Sequence, residues 1–397
     1  VRFIDNFFAL IDSLIGMKSR FYLSFLGAIA LFFLANLPPR SFALMTTLST
    51  LPRITFIGQS VLPTTLTFQN TPVGGLSDLT YDSTTGLYYA ISDDRSQHSP
   101  ARFYTMAVDL SQGTLTLGGV TPVTLTTLLG ENDKPFPPFS LDPESIALTR
   151  NRTILIASEG NTHQDIPPFV REFALTGHSI RSLLIPEKFR PHPQKQRGIR
   201  NNLAFESLTL TPDQQHLFVA TENALLQDGP TATPTQRSCS RILQYDFRSG
   251  QPQAEYLYLT EPVTVSKSPH SDGVNGLVEL VALDNRGHFL SLERSFSLPA
   301  GVTIKLFFVS LADATDISQI DSLTNLDRNV RDRIQPVRKT LLLDFKTLNI
   351  HLDNIEGLTL GPDLPDGSRS LIAISDNNFS PLQSTQILAF SLSLPDN

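Results

Sequence analysis

A single cysteine, Cys239, stands among 397 residues, so neither an intramolecular disulfide nor a cysteine-based zinc site is possible. It reads as a loop thiol with no role. Charged residues make up only 17% of the chain and the formal net charge is −7, a poor balance for general nucleic-acid binding. No Gly-x-Ser-x-Gly nucleophile elbow occurs, nor a phosphate loop ending in Gly-Lys-Ser/Thr, so serine-esterase and P-loop chemistry have no motif behind them. The eight histidines form no paired-ligand motif. Long apolar runs are also missing, with one exception near the start.

That exception is Phe21 to Leu37, preceded by Lys18 and Arg20 and followed by Pro38-Pro39 and Ser41-Phe42-Ala43. Basic residues, an apolar core and small residues at a cleavage site make a secretory signal, with cleavage expected after Ala43. An uncleaved membrane anchor is the alternative. The residues ahead of Met17 read as an over-extended start, so 1–43 is set aside and 44–397 is taken as one domain. Segment 1–43 carries a net +2, so its removal leaves −9. The expected product is exported, periplasmic or extracellular, monomeric, and without a stable membrane span after processing.

What the chain has is repetition. Five segments share an acid flanked by aliphatics, at Asp78, Glu144, Glu206, Glu279 and Glu356, with intervals of 66, 62, 73 and 77 residues. A second acid follows each one after a turn, at Asp93, Glu159, Glu222, Glu293 and Asp376. The midpoints between the acids carry turn residues such as Gly86, Asn151, Asp213, Asn285 and Gly367. Hairpins that turn midway bring the two acids of each pair side by side at their open end.

Third strands are expected at 102–110, 169–175, 241–247, 303–311 and 386–394, and fourth strands at 114–125, 180–185, 254–260 and 340–345. The fifth unit ends after its third strand, so Arg53 to Leu62 is expected to complete it and close a ring. The fold class is an all-β propeller of about five four-stranded blades, with a sixth left open. Residues 312–339 read as a partly helical excursion in the fourth blade.

Several stretches resemble the esterase-like phytase family, a group of secreted bacterial propellers. They are Gly75-Leu76-Ser77-Asp78, Asp142-Pro143-Glu144-Ser145, Arg200-Asn201-Asn202 leading into Phe205-Glu206-Ser207, Ala220-Thr221-Glu222-Asn223, Leu292-Glu293-Arg294-Ser295-Phe296 and Asn354-Ile355-Glu356-Gly357. The resemblance implies phosphoester or ester hydrolysis on a small phosphorylated or ester substrate. The chain departs from a simple pattern in having Asp at 78, 93 and 376.

Ten carboxylates at one channel mouth repel one another, and a hard cation, protonation or basic partners must offset that. Oxygen-only ligands favour Ca²⁺, with Mg²⁺ the alternative, and Asn161, Asn223 and Asn377 offer further oxygens. Glu144, Glu206 and Glu356 are the acids proposed for catalysis. Arg95, Arg200 and Arg294 are the cations that would steady a phosphate, and the basic loop 187–200 arrives at the same face. His98 and His163, in loops after second strands, are further acid–base candidates beside the simpler reading as exposed side chains. Two functions stay open: a metal-dependent phosphoric ester hydrolase, and a non-catalytic calcium-stabilised propeller that binds a ligand or protein. The acids themselves also have a plainer reading, as groups that tie neighbouring blades together through backbone amides.

Overall fold

The second strands of this protein are apolar at consecutive positions, as in Leu217-Phe218-Val219-Ala220, because both of their faces are covered. Side chains alternate along a strand. Leu217 and Val219 therefore enter a core shared with one neighbouring blade, and Phe218 and Ala220 enter the core shared with the other. The computed structural model describes residues 51–265, 272–298 and 300–395. The expected signal segment lies outside these residues.

The first blade holds β4 (Leu76–Asp82), β5 (Leu87–Ser92), β6 (Arg102–Val108) and β7 (Val120–Thr127). It follows β1 (Arg53–Leu62) and a small ribbon, β2 (Thr67–Phe68) with β3 (Thr71–Pro72). Blade 2 is β8 (Pro143–Leu148), β9 (Thr153–Ser158), β10 (Phe169–Ala174) and β11 (Ser179–Ser182). Blade 3 is β12 (Phe205–Leu210), β13 (His216–Thr221), β14 (Cys239–Asp246) and β15 (Gln251–Leu259). Blade 4 is β16 (Gly273–Ala282), β17 (His288–Ser297), β18 (Gly301–Ser310) and β19 (Arg338–Asp344). Blade 5 is β20 (Ile355–Asp363), β21 (Arg369–Ser375) and β22 (Thr385–Ser393), completed by β1.

The N-terminal strand closes the ring over the expected residues, pairing antiparallel with β22 from Arg53↔Ser393 to Leu62↔Thr385. No sixth blade exists among the described residues. Inner strands β4, β8, β12, β16 and β20 each neighbour the next, and the last returns to the first. Each of five apolar cores lies between two adjacent blades. A fully buried side chain such as Phe205 or Phe289 contributes about 1.5–3 kcal/mol.

The excursion between β18 and β19 contains one helical turn, α1 (Arg328–Arg331). A buried ionic network sits beside it. Arg241 pairs with Asp228 at 2.6 Å and with Glu255 at 2.6 Å, and Lys188 joins Glu255 at 3.2 Å.

Candidate functional site

All five inner hairpins break register at the same level. Each inner strand has one extra residue there, and the ladder resumes one residue later. The extra residues are Ser77, Glu144, Glu206, Val278 and Glu356, so only three of the five first acids occupy this level. Asp78 and Glu279 fall one residue deeper, which corrects the expectation that all five first acids sit together at the mouth. There, at the channel waist, the two buried carboxyl groups face each other, and Glu279 Oε2 has no donor. Asp78 also accepts from Leu79 N at 2.6 Å, Ser145 Oγ at 2.7 Å and Ile146 N at 2.8 Å. Burial raises Asp78 to about 6 and Glu279 well above its ordinary value. Below them a cavity of about 370 Å³, lined by Thr80, Thr209 and Thr359, runs to the opposite mouth.

The second acids obey alternation. Ile372 and Ile374 point toward blade 1 and Asp376 continues that face; Leu155 and Ala157 do the same for Glu159 toward blade 3. In blade 4 the equivalent series is Leu290, Leu292 and then Arg294. Glu293 belongs to the other face, with Phe289. It accepts from Tyr258 Oη at 2.8 Å, Glu261 N at 2.7 Å and Asn275 Nδ2 at 2.9 Å, and pairs with Lys339. The expected ring of ten carboxylates is thus corrected twice: Glu293 is turned away toward blade 3, and an arginine takes its place.

The mouth divides into two sets. Over blades 1 and 2, one carboxylate oxygen each of Asp142, Glu144 and Glu159 lies within 4.8 Å of the others. Asp142 raises the proton affinity of Glu144, and Glu159 that of Glu206, as neighbouring like charges do. Two carboxylate oxygens in contact need a proton or a cation between them. No donor reaches the buried Glu159 Oε2 or Asp93 Oδ1. Glu159 Oε1 accepts from Ala204 N. Arg95 pairs with Asp142 at 2.6 Å and also donates to Asn202. Burial pushes Asp142 up to about 6 against the pull of Arg95. Burial, with neighbouring carboxylates added, drives Asp93, Glu144, Glu159 and Glu206 well above the usual carboxylate range.

The other set is closed by Arg294, which reaches Glu356 at 3.2 Å and Glu222 at 3.4 Å. Burial works against its charge, but Glu356 and Glu222 outweigh that and raise its pKa. Burial likewise lifts Glu222 to about 7, with Arg294 pulling it down, and Asp376 to about 8, with Glu356 adding to the rise. Two glycines let these groups approach the backbone: a Cβ on Gly276 would overlap the Glu222 carboxylate, and one on Gly75 would overlap Asp93.

Arg200 does not touch the acids. Its guanidinium donates to Ala224 O at 2.9 Å and Gly229 O at 2.6 Å, and it faces a pocket of about 230 Å³ with Lys195, Arg197 and His192. Thr162 and Asn201 also line this pocket, and their hydrogen bond links it to the loop after Glu159. The three amides expected to offer oxygens instead hold loops: Asn377 Oδ1 accepts from Gly75 N, Asn161 Oδ1 from His163 N, and Asn223 Oδ1 from Ala232 N. His163 is exposed. His98 is exposed too and stacks on Phe379 with ring centroids 4.3 Å apart.

Sequence reasoning passed over Asp142 and Val278. Asp142 sat in plain view two residues before Glu144. The signal for blade 4 was its short spacing, 14 residues from Glu279 to Glu293, whereas Val278 to Arg294 restores the 16 seen from Glu206 to Glu222.

A sequence profile of the phytase-like family, described as esterase-like activity of phytase, matches residues 71–379 and so takes in blades 1 to 4 and strands β20 and β21 of blade 5. The chain belongs to the phytase-like family. No curated protein matches this phytase-like chain. Among solved structures it is similar to an endo-arabinase from Bacteroides thetaiotaomicron, with 11% identity, 82% of this chain and 96% of that one covered, and a TM-score of 0.44. It is also similar to a periplasmic gluconolactonase from Pseudomonas aeruginosa, with 11% identity, 82% and 90% covered, and a TM-score of 0.36. Likeness of this degree says nothing about substrate, and the five-bladed phytase-like propeller is read from its own sheet topology. Among the described residues no helix is long and apolar enough to cross a membrane.

Proposed function

We propose that the protein is an exported, calcium-dependent phosphoric ester hydrolase working at the acidic mouth of the channel. The observation that carries this reading is the Asp142, Glu144 and Glu159 set, buried, mutually in reach and with an oxygen that no donor satisfies. The donors are all carboxylate oxygens, a chemistry that fits Ca²⁺ or Mg²⁺ rather than zinc. Asp142, Glu144 and Glu159 would hold the ion, with Asp93 beside them. A bound Ca²⁺ supplies Lewis-acid polarisation of a phosphoryl oxygen.

The chain's own groups do the rest. Arg95 fixes Asp142 and, being partly exposed, presents positive charge to an incoming phosphate. Glu206, held well above the usual carboxylate range by burial and by neighbouring Glu159, is the acid that would protonate the departing oxygen. Lys195, Arg197 and Arg200 draw anions toward the same side. Arg294, already engaged by two carboxylates, organises the mouth and is not assigned to the phosphate. Glu356 is its counter-ion.

The non-catalytic alternative, a calcium-stabilised binding propeller, is favoured by the near-complete burial of Asp142 and Glu159, 2% and 1% exposed. Phosphate release from a panel of mono- and diesters, with calcium and with chelator, separates the two. Release that depends on calcium supports hydrolysis. Calcium binding without release supports the alternative, and release that survives chelation ends the metal-dependent reading.

A further inference from the structure

We propose that the substrate is an amphiphilic phosphoester, whose alkyl or aryl group lies against Val274 and Phe296. The ester part rests on the hydrolase reading above; the apolar part rests on one hairpin. Strands β16 and β17 run on past the acid level, pairing Asn275↔Ser295, Val274↔Phe296 and Gly273↔Ser297. On β17, Leu290 and Leu292 pack toward blade 5, Arg294 follows on that face, and Phe296 comes next, with Val274 opposite it.

The reverse face is polar and covered. Asn275 Nδ2 donates to Glu261 O at 2.8 Å, and Ser295 Oγ accepts from Thr264 N at 2.9 Å. Val274 and Phe296 are 44% and 42% exposed, and Leu298, two residues on, is 73% exposed. Apolar side chains gathered on the solvent face of a hairpin at a channel mouth mark a contact surface. The cationic pocket of Lys195, Arg197 and Arg200 belongs to the chain between blades 2 and 3. The mouth is therefore polarised, basic on one side and apolar on another. A polyol bearing phosphates in every direction would set charge against the apolar lip. One phosphate with one apolar arm matches both sides. In the reaction the oxygen of water joins phosphorus, the ester P–O bond breaks, and the departing oxygen takes a proton, giving an alcohol and inorganic phosphate.

The test measures kcat/KM with calcium for 1-naphthyl phosphate, glycerol phosphate and inositol hexakisphosphate, in the parent, Phe296→Ser and Phe296→Leu. The parent should prefer the naphthyl ester to glycerol phosphate about tenfold or more. That ratio should fall about fivefold in Phe296→Ser and recover in Phe296→Leu. Equal ratios in all three proteins, or preference for the hexakisphosphate, would overturn the proposal. If no ester is hydrolysed, the hydrolase reading fails by itself, and calorimetry with naphthyl and methyl phosphonates decides the lip. Tighter naphthyl binding that Phe296→Ser removes supports the lip; equal binding overturns it.

Discussion

The half of the mouth over blades 1 and 2 and the half over blades 3 to 5 each carry four carboxylates. The first has Asp93, Asp142, Glu144 and Glu159, and the second has Glu206, Glu222, Glu356 and Asp376. They differ in where the opposing charge sits. In the second half Arg294 reaches in from blade 4 and spans Glu222 and Glu356, which belong to different blades. In the first half Arg95 engages only Asp142 among the acids by an ion pair, from the rim, and leaves Glu159 Oε2 and Asp93 Oδ1 without donors. A covalently tethered guanidinium is always present. The other half is completed only by something that comes and goes, a proton or a cation. One ring thus contains a sector with a fixed cation bridging two of its acids and a sector whose innermost acids have no such bridge.

Removing the tethered charge is the strongest way to break the contrast. Arg294→Met keeps length and removes the cation, leaving buried carboxylates unpaired, so it should destabilise the metal-free protein by about 3–5 kcal/mol at pH 8. The loss should shrink at pH 5, where the freed acids take protons. Added calcium should recover part of it, and calorimetry should show a second binding event. A variant as stable as the parent in chelator would mean that Arg294 is not the counter-charge.

The reversible sector gives the next largest effect. Calcium at about a hundredfold excess over its dissociation constant should stabilise the parent by about 3 kcal/mol in thermal unfolding. Glu159→Gln and Asp142→Asn should each lose most of that response, while Asp376→Asn, in the Arg294 sector, should keep it. Loss of the response in Asp376→Asn with its retention in Glu159→Gln would reverse the assignment of the two halves.

The pH dependence separates the sectors again. Asp142 at about 6, Glu222 at about 7 and Asp376 at about 8 all lie above their ordinary values of 3.8, 4.5 and 3.8. Between roughly pH 4 and 8 the folded chain therefore binds more protons than the unfolded chain, and stability falls as pH rises through the window. A tenfold difference in proton affinity between the folded and unfolded chain is worth about 1.4 kcal/mol. Calcium should remove the part of the fall near pH 6 and leave the part between 7 and 8. Denaturant midpoints at half-unit pH intervals, with calcium and with chelator, report it; identical slopes under both conditions would separate the cation from the acids altogether.

How much of this the chain discloses beforehand follows from what each feature depends on. Blade boundaries are legible because turn residues and apolar strands are local, and closure by Arg53–Leu62 follows from counting strands. The mouth is less legible because it depends on a bulge. A single extra residue shifts which side chain reaches the channel, so Asp78 and Glu279 look equivalent to Glu144 and Glu206 yet lie deeper. Glu293 is a separate case, since alternation along β17 assigns position 294 to the ring and only a neighbouring acid catches the eye. Asp142 was hidden differently, standing where the other blades carry Gly75, Ala204, Gly276 and Asn354, so no repeat announced it.

Arg95 offers the finest test of the difference between the halves. Its guanidinium pairs with Asp142 at 2.6 Å and is 28% exposed against 17% for Arg294, so water screens it more. Arg95→Gln keeps a hydrogen-bond donor for Asn202 and removes one positive charge next to the proposed cation set. Fold stability in chelator should fall by less than in Arg294→Met, since only one buried acid loses its partner and the lost guanidinium was partly exposed. Calcium should bind more tightly, by roughly threefold to tenfold, because the ion no longer shares Asp142 with a fixed cation. Phosphate, by contrast, should bind more weakly, since the charge that faces it is gone. Calorimetric titration of calcium and then of phosphate into the parent and Arg95→Gln reads both changes in one preparation. Opposite shifts in the two affinities are the signature of a cation set flanked by an anion-steadying arginine. Weaker calcium binding in the variant would instead make Arg95 a support for the geometry of Asp142, and the division between a fixed and a reversible counter-charge would then hold only for Arg294.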